Sequence, residues 1–163
     1  MARHYYTVTW DQLHRDAKAL AWRVMGGGWR GIVAVSRGGL IPAAIIAREL
    51  ELRLVESVSV AAYEEETLGP PVVVKPPAAA GDGSEFLVID DLVDTGTTVR
   101  VVRSLLPRAH YACVYAKPAG RSAVDTFITE VSQDTWILFP WDTEPQFVPP
   151  IAQRDRTPGD TGG

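Results

Sequence analysis

Residues 86–99 read FLVIDDLVDTGTTV. Four apolar residues, Phe86 to Ile89, run into the adjacent Asp90 and Asp91. Asp94 follows, then Thr95, Gly96, Thr97 and Thr98. An apolar run bounded by turn residues predicts a buried strand ending at the aspartates. The residues after it, TTVRVVRSLLP, predict a helix stopped by Pro107. Two carboxylates side by side repel and lose solvation, so a cation or hydroxyl donors should compensate them. Two partners suit them: Mg2+, which takes oxygen ligands, or the vicinal hydroxyls of a sugar. At the helix start, backbone N–H groups, the helix dipole and threonine hydroxyls favour an anion. The motif reads as a ribose 5-phosphate site, with the diol on the aspartates and the phosphate on the Thr/Gly turn. Asp and Thr are also common helix caps. The coincidence of strand, acidic pair and turn is what favours a ligand. It is no P-loop, because the lysine after the glycine loop is missing.

Working outward, GIVAVS (Gly31–Ser36) predicts another buried strand. RGGL and then a helix with Pro42 in its first turn follow it. Upstream, Thr9 and Gln12 form a capping-box pattern before Leu13, Ala17, Leu20 and Val24 at helical spacing. Further strands are predicted at Leu54–Tyr63, Tyr111–Lys117, Asp125–Val131 and Thr135–Trp141. Between Tyr63 and Gly83 the chain is rich in Pro, Gly and Ala, and it reads as a mobile lid or loose hairpin. The fold class is α/β with a largely parallel central sheet. In such sheets ligands bind beyond the C-terminal strand ends, so the turns at Arg37 and Gly96 should face one cleft.

The 163 residues suit one domain, expected over 1–152 with a disordered polar tail at 153–163. A net charge of -4 and a pI near 5.3 argue against nucleic acid as the main partner. Cys113, the single cysteine, should pack as a small hydrophobe. His4, His14 and His110 lack metal-ligand spacing. No apolar run reaches the length of a membrane span, and the first ten residues lack a signal-peptide core. The expected location is therefore cytoplasmic.

The opening segment resembles the phosphoribosyl pyrophosphate (PRPP) signature of type I phosphoribosyltransferases. YYTVTWDQL, GIVAVSRGGLIPAAIIAREL, AKPAGR, QDTWI and PWD…FVPPI extend the likeness collinearly over roughly residues 5 to 152. They are similar to the bacterial members that use xanthine and guanine. The resemblance implies that family's fold, with a mobile lid and a small hood. It implies purine salvage: PRPP and a 6-oxopurine base give GMP, XMP and, more weakly, IMP, with Mg2+ as cofactor.

By resemblance, Ser36, Arg37, Gly38 and Gly39 form the pyrophosphate loop, with a cis Ser36–Arg37 peptide. Asp90 and Asp91 hold the ribose hydroxyls, and Asp91 is the metal contact. Leu92, Val93, Asp94, Thr95, Gly96, Thr97 and Thr98 complete the PRPP site. Arg37 and Asp94 are the catalytic candidates, the latter taking the purine proton. Lys117 donates to the 6-oxo group, Trp136 stacks on the base and Ile137 meets its 2-substituent. Relatives carry a lid arginine. This chain has none between Arg53 and Arg100, so Lys75 either replaces it or the contact is lost. A dimer or tetramer is implied, and loose attachment to the inner membrane face is known in the family. Alternatives are a hypoxanthine-preferring enzyme, or a PRPP-fold regulator that binds RNA.

Overall fold

The computed structural model describes residues 4–61, 70–143 and 147–154. In chain order its elements are β1 (His4–Thr7), α1 (Trp10–Val24), β2 (Gly31–Ser36), α2 (Leu40–Glu49), β3 (Val55–Ala61), β4 (Val72–Lys75), β5 (Phe86–Val93), α3 (Thr97–Leu105), β6 (His110–Ala116), β7 (Thr126–Glu130), β8 (Thr135–Leu138) and α4 (Ile151–Arg154). Two compact units result, Met1–Leu13 with Asp134–Gly163, and His14–Gln133.

The larger unit is built on a six-stranded sheet in the order β4-β3-β2-β5-β6-β7. All neighbours run parallel except β3 and β4. The central strands show continuous apolar runs because both of their faces are covered. Ile32, Val33 and Ala34 of β2 and Leu87, Val88 and Ile89 of β5 are all buried. Val99 and Val102, one helical turn apart on α3, join Val33, Val35 and Val88 in the core. Cys113 is buried in β6, as its apolar setting predicts.

Part of the segment expected as a lid or loose hairpin forms a hairpin with β3, and residues 62–69 lie outside those described. β4 pairs antiparallel with β3, and a helical turn at Ala78–Ala80 buries Ala80. Glu56 of β3 ties these pieces together. Its Oε1 accepts from Lys75 Nζ at 2.6 Å and from the Ser57 N–H at 2.8 Å, and its Oε2 accepts from the Ala79 N–H at 3.0 Å. Those donors, Lys75 first, draw the Glu56 carboxyl down to about 2.

The smaller unit contains a strand the sequence did not suggest. β1 pairs in parallel with β8, His4 opposite Thr135 through Thr7 opposite Leu138. Thr9 caps α1, its Oγ1 accepting from the Gln12 N–H at 3.1 Å. The expected capping box is only half made, because Gln12 Nε2 donates instead to the Tyr6 hydroxyl at 2.7 Å. Two residues of the expected tail, Gln153 and Arg154, close α4, and 155–163 lie outside the described residues. No described helix is long and apolar enough to cross a membrane.

Candidate active site

The acidic pair does not end its strand. β5 continues to Val93 because Leu92 and Val93 still pair with Tyr115 and Ala116 of β6. Successive strand residues face opposite ways, so the two carboxylates meet different surroundings. Asp90 is buried. Its Oδ2 accepts from the Tyr111 hydroxyl at 3.0 Å and its Oδ1 from the Asp91 N–H at 2.9 Å. Burial, reinforced by the neighbouring Asp91 charge, pushes the Asp90 carboxyl well above the usual range. Burial also raises the Tyr111 hydroxyl. Asp91 is half-buried, and its Oδ1 accepts from the Leu92 N–H at 2.7 Å.

The turn after β2 reaches Asp91. A β-carbon on Gly38 would lie 2.0 Å from Asp91 Oδ2, so only glycine allows this approach. The Ser36–Arg37 peptide is cis. Ser36 Oγ shares a hydrogen bond with Ser59 Oγ on β3. After β5, Gly96 takes φ +88 and stands at the N-terminus of α3 with no side-chain cap on the helix. Thr95 Oγ1 and Thr97 Oγ1 lie 3.1 Å apart. Both turns line a cavity of about 1000 Å³, together with Asp90, Asp91 and Asp94–Thr98. The parallel pairing of β2 with β5 brings the two turns out at the same end of the sheet.

Lys117 follows β6 and is only 6% exposed, the unusual fate for a lysine. Its Nζ lies 3.4 Å from Asp94 Oδ2. Gln133, which the sequence reading did not single out, donates from Nε2 to Asp94 Oδ1 at 2.6 Å. Among the described residues, no group of three or more His, Cys, Asp or Glu could hold a metal ion.

The model of the phosphoribosyl transferase domain family matches residues 9–147. The chain belongs to the phosphoribosyltransferase family. A xanthine-guanine phosphoribosyltransferase of Gluconobacter oxydans is 62% identical over 156 residues, 93% of each chain. One of Nitratidesulfovibrio vulgaris is 58% identical over 154 residues, again 93% of each. Among solved structures, a purine phosphoribosyltransferase from Pyrococcus horikoshii Ot3 is 28% identical with a TM-score of 0.75, over 90% of this chain and 99% of its own.

Within this phosphoribosyltransferase, Ser36, Gly38, Asp90–Thr98 and the Asp94–Lys117 contact gather in the larger unit. Arg37 sits in the same turn but is exposed and not among the cavity-lining residues. Lys75, the lid candidate, closes β4, where its Nζ donates to Glu56 Oε1 and to the Ser57 carbonyl, and it is not among the described residues that line the cavity. In the smaller unit, Trp136 and Ile137 are neighbours on β8. Ile137 is buried and Trp136 is 46% exposed, so its ring is not the core filler that an apolar strand would suggest.

Proposed function

We propose that this phosphoribosyltransferase serves purine salvage, moving the 5-phosphoribosyl group of PRPP to N9 of guanine and xanthine, and more weakly of hypoxanthine. The observation that carries the reading is the acidic pair and the uncapped DTGTT turn opening into one cavity. High identity to proteins named xanthine-guanine phosphoribosyltransferase supports the choice of bases.

Asp90 and Asp91 accept the ribose hydroxyls. The α3 amides with Thr95, Thr97 and Thr98 take the 5-phosphate, and Leu92 and Val93 lend backbone to the same site. Ser36, Arg37 and Gly38 take the pyrophosphate. The donor set suits Mg2+, which binds through one or two carboxylates plus substrate phosphates, with Asp91 as the direct or water-mediated contact. Bound there, the ion supplies charge neutralisation for the leaving pyrophosphate. The C1′–O bond to pyrophosphate breaks as the C1′–N9 bond forms, and C1′ passes through oxocarbenium character. Asp94 accepts the proton lost from the purine nitrogen. Lys117 donates to the 6-oxo group and disfavours adenine, whose 6-amino group is itself a donor. Trp136 offers an exposed face for stacking, and Ile137 offers backbone groups to the 2-substituent. The family resemblance also supports a homo-oligomer, dimer or tetramer. It supports a cytoplasmic enzyme with loose attachment to the inner membrane face, which fractionation would read.

Nucleotide formation from PRPP and Mg2+ with xanthine, guanine, hypoxanthine and adenine in parallel tests this. Guanine and xanthine should turn over faster than hypoxanthine, and adenine not at all. PRPP binding without turnover of any purine would overturn the reading. Preference for hypoxanthine would correct its specificity.

A further inference from the structure

We infer that Gln133 is a positioning residue that sets the direction of the Asp94 carboxylate, an inference that rests on the purine role proposed for Asp94. Its amide orientation is decided by chemistry. The Ala119 N–H can only donate, and it does so to Gln133 Oε1 at 2.9 Å. That turns the Gln133 NH2 toward Asp94 Oδ1, which accepts at 2.6 Å. One residue therefore links the turn after β6 to the carboxylate after β5.

The need for such a link follows from what else touches Asp94. Its side chain is 52% exposed, and Lys117 Nζ lies at the long distance of 3.4 Å from Oδ2. When Lys117 turns to a 6-oxo oxygen, its hold on Oδ2 weakens further. Gln133 then keeps Oδ1 occupied and leaves Oδ2 to meet the purine N–H. A carboxylate free to rotate would spend part of its time with neither oxygen in line, and small misplacements of a proton acceptor are costly. Gln133 itself touches no reacting atom.

The variants Gln133→Met and Gln133→Glu test this. Met keeps the length but offers no donor. We expect kcat/KM for guanine to fall about ten- to a hundredfold, with the PRPP KM changed less than about twofold. Glu repels Asp94 when ionised. Protonated, it can donate its O–H to Asp94 while its carbonyl still accepts from Ala119, reproducing the glutamine. Of the neighbouring charges, Lys117 contacts Asp94, Asp134 follows Gln133 in the chain, and Arg121, two residues after Ala119, pairs with Glu130 at 2.5 Å. Activity of Gln133→Glu relative to wild type should therefore recover as pH falls from about 8 to about 5, while Gln133→Met shows no such recovery. Wild-type guanine kinetics in Gln133→Met would overturn the positioning role, as would a flat pH ratio for Gln133→Glu. An inactive wild type would instead sink the proposed function itself, so the two failures are told apart.

Discussion

Gly38 has no side chain, and Asp91 fills the space where one would begin. Adding the single methyl of Gly38→Ala brings a β-carbon to within 2.0 Å of Asp91 Oδ2, so the carboxylate must turn away. Calorimetric titration should show PRPP affinity reduced by roughly tenfold or more. Unchanged affinity would mean that Asp91 makes no contact with PRPP. The other aspartate carries the opposite tension. Its raised carboxyl favours the neutral form in the folded state, so Asp90 contributes stability below its unfolded value of 3.8. That stability is lost as pH rises through the raised value. Asp90→Asn keeps the shape, its oxygen accepting from the Asp91 N–H and its NH2 facing the Tyr111 oxygen. The variant should melt higher than wild type at neutral pH, by roughly 2–4 °C per kcal/mol gained, and should bind PRPP poorly. A melting difference identical at pH 4 and pH 8 would show that Asp90 is not the source. At this scale the acidic pair and the threonine turn were legible because their residues are contiguous in the chain. Gln133 was not, since its contacts lie 14 and 39 residues away in the chain. Lys117 was visible as a strand-end lysine, but its burial depends on neighbours that no local pattern reveals.

β2, β5 and α3 were legible as elements, because strands buried on both faces must be apolar throughout and a helix must place its apolar residues a turn apart. β4 was not. Its three valines sit between Pro70-Pro71 and Pro76-Pro77, and it is an edge strand, where sequence demands are weakest. What holds it is the Glu56 clasp on Lys75 and Ala79. A carboxyl lowered to about 2 on folding contributes stability that is full above about pH 4.5 and is lost as pH falls through 2. Glu56→Gln should therefore narrow the stability gap to wild type as pH drops over that window, read by denaturant midpoints. Lys75→Ala should lower stability and leave the PRPP KM unchanged. A raised KM would return Lys75 to the substrate.

For the whole molecule, a ligand that binds only the folded chain adds stability by mass action. PRPP with Mg2+ at about 100 times its Kd should add about 2.7 kcal/mol, a melting shift of several degrees that EDTA reduces. No shift would leave the cavity without its proposed occupant. The net charge of -4 bears on partners and solubility and says little about the fold. The parallel pairing of β1 with β8 has a consequence for synthesis. His4–Thr7 leaves the ribosome well before its partner Thr135–Leu138, which lies more than a hundred residues later in the chain. At about 5–20 residues per second, β1 waits on the order of 10 seconds without its strand mate. During that interval residues 14–133 are made, so β1 is locked onto β8 only after every strand of the larger unit exists.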